Sequence, residues 1–237
     1  MKIELKANTI IISVAMLAAA IIIAGSVVWS GAHASSIAAN TPAPTKSTAT
    51  VPVDSSKVAT ENEPYIGNKN APVTIAYWFD YQCPFCHQDE ETVLPVVIQN
   101  YVDTGKVKIV FKDLQFLGPD SLTLGTVARA VWEVAPNEFY AWHKAVYDNQ
   151  GTENTGWATS EKIKSITTNV LGAQKADQVL ALSVSKAAEY QKSLQADAAE
   201  AQTFGVNGTP SLIIGKQIVV GAQPIAMVEA AIAAASK

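Results

Sequence analysis

Cysteine, histidine and charge are all scarce in this chain: two cysteines, three histidines and 16% Asp, Glu, Lys and Arg among 237 residues. Two cysteines exclude a disulfide-stapled scaffold and leave one bridge, one redox pair or part of a metal site. With 17 basic against 21 acidic side chains, a formal net charge of −4, there is no cationic excess to neutralise phosphates, which excludes general nucleic-acid binding. Soluble domains average about 25% charged residues, so the shortfall points to a stretch that is apolar for a reason of its own. The length is enough to bury a full core without staples.

The apolar stretch is residues 7–29, which carry no charge. A helix of about 20 such residues spans a bilayer's hydrocarbon core. The run exceeds the apolar region of about 7 to 15 residues in a secretory signal, which favours an uncleaved transmembrane anchor over residues 1–29. Ala32-His33-Ala34 has the small-x-small pattern of a cleavage site, so a removed signal stays open as the alternative. Lys2 and Lys6 precede the run and the next lysine is Lys46. The positive-inside rule then keeps the N-terminus cytoplasmic and puts everything after Trp29 outside, on a single-pass membrane protein. Residues 30–63 are dominated by Ser, Thr, Ala and Pro, too poor in large apolar side chains to offset ordering entropy, and read as a flexible tether. No internal repeat follows, and residues 64–237 form the folded part.

Val73-Thr74-Ile75-Ala76-Tyr77-Trp78-Phe79 is β-branched, aromatic and uncharged, the pattern of a strand buried on both faces. Asp80-Tyr81-Gln82 leads into Cys83-Pro84-Phe85-Cys86 and a helical stretch to Tyr101, which Pro95 kinks or divides. Residues 107–111 read as a second buried strand, completing a βαβ unit. The region of about 118–204 is helical in pattern, with candidate helices at 121–134, 137–149, 159–170 and 185–204, too long for a simple crossover. Ser211-Leu212-Ile213-Ile214 and Gln217-Ile218-Val219-Val220 flank Gly215-Lys216 as a hairpin, and an Ala-rich helix runs over 224–235.

A Cys-x-x-Cys after a strand and at the start of a helix is a redox signature. Pro84 suits the first helical turn, where its missing N–H is not needed, so Cys83 sits at the helix N-terminus. Unpaired N–H groups and the positive end of the macrodipole stabilise a thiolate there. Cys83 is therefore the attacking thiol, and Cys86, one turn deeper, the resolving one. Stabilising the thiolate favours the reduced form, so the oxidised form becomes a stronger disulfide donor, by about 30 mV per pKa unit.

With Val73-Thr74-Ile75 leading to Cys83-Pro84-Phe85-Cys86, Leu94-Pro95, Tyr101-Val102-Asp103-Thr104-Gly105, the helical insertion and Gly205-Val206-Asn207-Gly208-Thr209-Pro210, the chain resembles the DsbA-like thiol–disulfide oxidoreductases of the thioredoxin superfamily. The resemblance covers roughly residues 71–235. It implies an α/β thioredoxin-like fold with a helical insertion, and a cis Thr209–Pro210 bond against the active-site cysteines, with the Thr209 backbone free to pair with a substrate. Pro84, Phe85 and His87 become active-site neighbours, and no cofactor or metal is expected. The implied partners are exported cysteine-containing polypeptides and a DsbB-like or VKOR-like quinone-linked reoxidase in the membrane. One departure stands out. Many members carry a buried Glu or Asp six positions before the first cysteine, where this chain has Tyr77. A phenol is a poor base at neutral pH, which leaves water or Lys112 on the neighbouring strand as a substitute, although a plain structural or surface role is the first expectation for Lys112.

Three alternatives compete. A disulfide reductase or isomerase would use the same fold and cysteines. Cys83-Pro84-Phe85-Cys86-His87 also satisfies the C-x-x-C-H attachment motif of a c-type haem carrier, with His87 proximal and His143 or Met227 distal, but that leaves the preceding strand and Thr209-Pro210 unexplained. A zinc site from the two cysteines and two histidines lacks the second paired spacing.

Overall fold

The computed structural model describes residues 53–237. The anchor expected over 1–29, the cleavage motif and most of the tether lie outside these residues. Among the described residues no helix is long and apolar enough to cross a membrane.

Five strands form one sheet in the order β1-β3-β2-β4-β5: β1 (Tyr65–Gly67), β2 (Val73–Phe79), β3 (Val107–Asp113), β4 (Ser211–Ile214) and β5 (Gln217–Val220). Only β2 and β3 run parallel; every other neighbouring pair is antiparallel. The helical stretch after the cysteines is divided near Pro95, as its sequence predicts, into α1 (Pro84–Thr92), α2 (Leu94–Val97) and a π-turn over Ile98–Val102. Between β3 and β4 lies the insertion, α3 (Pro119–Val134), α4 (Phe139–Asp148), α5 (Ser160–Leu171), α6 (Ala173–Ser185) and α7 (Ala187–Thr203), and α8 (Ile225–Ala235) closes the chain. The turn between β4 and β5 uses Gly215 at φ +56°, a left-handed conformation that favours glycine.

Strand alternation sorts the side chains of β2 onto two faces. Val73, Ile75, Tyr77 and Phe79 join Ile109 and Phe111 of β3 in the main core, which α1, α4 and α8 cover with Cys86, Phe139, Trp142, Tyr147 and Ile232. Ala76 and Trp78 face the other way, onto Ala201, Val206, Ile213, Val53 and Val58. Lys112 is the register partner of Trp78 and so shares this second face.

Two sequence expectations need correction. Residues 53–63, read as the end of a flexible tether, are packed: Val53 and Val58 are buried, the Ser55 N–H donates to the Gly215 carbonyl at 2.7 Å, and the Ala59 N–H donates to Glu200 at 2.7 Å. Composition averaged over a Ser/Thr-rich window conceals two valines that plug the second face. The helix expected from 185 instead starts at Ala187, and it is preceded by α6, which occupies residues between 170 and 185 where no helix was expected.

That second face carries a buried ionic cluster. Arg129, the single arginine of the chain, bonds Asp113 (2.8 Å), Glu63 (2.6 Å) and Asp197, while Lys112 bonds Asp197, Glu63 (3.1 Å) and Glu200 (3.0 Å). The cluster ties the segment before β1 to β3, α3 and α7. Lys112 is 1% exposed and committed to these carboxylates, which gives it a structural role and excludes both the surface role and the proton role.

Candidate active site

Residues 80–82 turn the chain from the end of β2 into α1, with Cys83 as N-cap and Pro84 at the first helical position. No side chain caps the helix, so its free amides are left to the Cys83 sulfur. Both cysteines are free thiols. The Cys86 thiol, hydrogen-bonded to Cys83, is the largest influence on Cys83 and pulls it down to about 6 against the opposing cost of burial. The Thr209 side chain and the backbone N–H groups of Cys86 and Phe85 pull the same way. Cys86 is fully buried, and burial first, then its bond to Cys83, pushes its thiol well above the ordinary range. One sulfur is thus ionised at neutral pH and the other held as a thiol.

Thr209–Pro210 is a cis bond, and the Cys83 sulfur lies 3.4 Å from the Thr209 carbonyl oxygen. Phe85, between the cysteines, is 59% exposed, so the rim of the site offers an apolar side chain to an incoming polypeptide. His87 points outward, 3.6 Å from Glu91, with its ring 6.1 Å from that of Tyr147. The sequence brings all seven predicted residues to the N-terminus of α1 or to the Thr209-Pro210 turn. His143 is completely buried with both ring nitrogens engaged, Nδ1 to Tyr81 Oη (2.9 Å) and Nε2 to Glu90 (3.0 Å), and Met227 is exposed on α8. Neither can serve as the distal ligand of a haem on Cys83-Pro84-Phe85-Cys86-His87. No group of His, Cys, Asp or Glu among the described residues is arranged to hold a metal ion.

Several positioning residues were not anticipated. The Asp80 carboxylate accepts from the N–H of Gln82 (2.8 Å), Phe116 (2.8 Å) and Leu117 (3.0 Å) and from Ser121 Oγ (2.6 Å), which fixes the loop after β2 to the start of α3. Tyr147 donates to the Asp80 carbonyl (2.9 Å), and Gln150 donates to the carbonyls of Tyr81 (2.9 Å) and Cys83 (3.2 Å). The insertion therefore clamps the backbone that presents Cys83. Below the helix, Tyr81, His143, Glu90 and Tyr140 form a buried chain of hydrogen bonds. Part of this was visible in the sequence. Asp89 and Glu90 follow Cys86 by three and four residues, so all three lie on one face of α1, and that face is buried.

A family model described as Thioredoxin matches residues 59–234. The probable disulfide bond formation protein D of Bacillus cereus is 28% identical over 149 residues, 63% of this chain and 68% of that protein. The disulfide bond formation protein D of Bacillus subtilis is 28% identical over 99 residues, 42% of this chain and 45% of its own length. The crystal structure of oxidised BdbD from Bacillus subtilis superposes with a TM-score of 0.68 at 20% identity, covering 75% of this chain and 95% of that one, which shows a shared fold. Because the family model spans most of its length, the chain belongs to this thioredoxin family, within which it is a DsbA-like thiol–disulfide oxidoreductase.

Proposed function

We propose that this protein is a dithiol oxidase that introduces disulfides into exported cysteine-containing polypeptides. The observation that carries this reading is the unequal pair of thiols: Cys83 is held down to about 6 and Cys86 well above the ordinary range. A substrate thiolate attacks the Cys83 sulfur of the oxidised pair, the Cys83–Cys86 bond breaks, and its electron pair leaves on Cys86. The second substrate thiolate then attacks the mixed disulfide, and Cys83 leaves as a thiolate that its surroundings already favour. A good leaving group speeds that release, and a stabilised thiolate makes the pair oxidising. Reoxidation returns both electrons to the disulfide of a membrane reoxidase, of DsbB-like or VKOR-like type by analogy with the relatives. The names of the Bacillus proteins, which are disulfide bond formation proteins, support the same direction.

Pro84, Phe85, His87, Thr209 and Pro210 frame the site in this reading, with Thr209 offering backbone to a substrate strand. The apolar residues 7–29, flanked by Lys2 and Lys6, support a single-pass anchor that leaves residues 64–237 on the outer side of the membrane, with residues 30–52 as the tether. Equilibration of the full chain against glutathione tests the direction. A potential toward about −120 mV is expected, and one near about −270 mV, at the thioredoxin end of the scale, would assign a reductase instead.

A further inference from the structure

Pro84 has no N–H and no side chain caps α1, so the helix amides that support the Cys83 sulfur are those of Phe85 and Cys86. The angle that sets the sulfur against those amides is the ψ of Cys83 itself. Turning about it swings the Cys83 carbonyl and all of α1 while the side chain stays where it is. Cys83 is extended, at φ −72° and ψ 118°. No bond within α1 fixes this angle, because the His87 N–H that donates to the Cys83 carbonyl (3.2 Å) moves with the helix.

The restraint comes from the insertion. The side-chain nitrogen of Gln150, two residues past the end of α4, donates to the Tyr81 carbonyl (2.9 Å) and to the Cys83 carbonyl (3.2 Å). A carboxamide NH2 has two N–H groups, one for each of these acceptors. The peptide that follows Tyr81 and the peptide that follows Cys83 are therefore fixed against one planar group, and the four torsions of Gln82 and Cys83 lie between them. The surroundings hold Gln150 in turn. Its N–H donates to the Tyr147 carbonyl (2.9 Å), and a Cβ on Gly151 would stand 2.5 Å from the Cβ of Trp157, so the chain there is pressed against Trp157. The Gln82 side chain is bound separately, to the Asn154 N–H (2.8 Å), the Leu117 carbonyl (3.0 Å) and Ser121 Oγ (3.0 Å), which leaves Gln150 to govern Cys83.

We propose that Gln150 is a positioning residue for Cys83: its carboxamide holds the Cys83 carbonyl so that the sulfur stays on the amides of α1, and through it the helical insertion sets how strongly the cysteine pair oxidises. The proposal rests on the thiol-exchange reading of Cys83 and Cys86. Gln150 acts through the backbone, since both of its bonds are to carbonyls. Without it those carbonyls lose a donor and Cys83 relaxes about ψ. The Cys86 thiol, which is the largest influence on Cys83, and the amides of Phe85 and Cys86 then draw away from the sulfur together, because all of them ride on α1. A less supported thiolate makes the disulfide a weaker oxidant.

The test is the pH dependence of Cys83 alkylation by iodoacetamide, together with equilibration against glutathione, both on the full chain. Gln150→Met keeps the length of the side chain and removes both donors. Its Cys83 midpoint should rise from about 6 by about one unit. Its equilibrium with glutathione should move about tenfold toward the disulfide, about 30 mV. Gly151→Ala leaves the carboxamide in place but displaces the chain that carries it, so its midpoint should move the same way by a smaller step. That variant carries the test if Gln150→Met does not fold. Thr167→Val controls for a merely structural loss: it removes a buried hydroxyl of α5 that accepts from Trp142 Nε1 (3.0 Å), and it should leave the midpoint in place. A midpoint within about 0.3 unit of the wild type in Gln150→Met, or in Gly151→Ala where only that variant folds, would overturn the proposal, as would an equal shift in Thr167→Val. A wild-type chain that does not exchange with glutathione, while the Gln150→Met midpoint still shifts, would instead overturn the exchange reading and leave the positioning role standing.

Discussion

Two buried polar clusters lie on opposite faces of β2 and β3 and are built on opposite rules. On the Trp78 face, Arg129 and Lys112 are surrounded by Glu63, Asp113, Asp197 and Glu200, and each cation bonds several carboxylates. On the Tyr77 face, Cys83, Cys86, Tyr77, Asp89 and Glu90 gather with no lysine or arginine bonded to the carboxylates, and Tyr77 Oη and Asp89 Oδ1 are unpartnered among the described residues. Compensated charge fixes geometry, because every change of protonation breaks a bond. Uncompensated titratable groups leave protons free to move, which is what a thiol exchanging its partner requires. Phe111 and Lys112, adjacent on β3, point to opposite faces, and Tyr81, within electrostatic reach of Asp113 and Arg129 as well as Glu90, lies between the two clusters.

The sharpest way to break this contrast is to remove the nucleophile. Cys83→Ser should abolish exchange with a reduced substrate peptide, followed by gel analysis of substrate disulfides, while Cys86→Ser, given a disulfide-bonded peptide for its Cys83 thiolate to attack, should accumulate a mixed disulfide at Cys83. On the other face, Arg129→Met leaves Asp113, Glu63 and Asp197 buried without their cation and should cost about 3–5 kcal/mol in urea unfolding. If the faces are insulated, the Cys83 titration midpoint in that variant stays near 6. Redox-dependent stability gives a third probe. The Cys83 pKa is lowered on folding, so its contribution is complete above the ordinary thiol value and is lost as pH falls through about 6. Reduced protein should therefore be the more stable form near pH 8, and its advantage over oxidised protein in paired melting curves should shrink toward pH 5. The smallest effect is expected for Thr209→Val, which removes a hydroxyl that favours the thiolate and should raise the Cys83 midpoint on the order of half a unit.

The catalytic face was far more legible in the sequence than the structural one. A strand, Cys83-Pro84-Phe85-Cys86 and a helix are contiguous, so local rules place the cysteines, whereas Thr209-Pro210 reads locally as a turn and the family resemblance sets it beside them. The buried acid missing at Tyr77 was legible as an absence. Of the substitutes expected for it, Lys112 lies on the other face of the sheet, and the unpartnered oxygens of Tyr77 and Asp89 went unread, because spacing shows which residues share a face and not which oxygens lack partners. The ionic clasp joins residues as distant as Glu63 and Asp197, and no local pattern encodes a pairing that only the packing of α7 on β3 creates. The same is true of Val53 and Val58, whose burial depends on the far face of the sheet.

The central claim is that one helix terminus holds two sulfurs three residues apart in opposite states. Alkylation of the reduced full chain with iodoacetamide across pH, with the modified cysteine identified by peptide mass, tests it directly. The account predicts that Cys83 is modified with a midpoint near 6 while Cys86 stays unmodified through neutral pH. A Cys83 midpoint at the ordinary thiol value of about 8.5, or Cys86 reacting first, would contradict it.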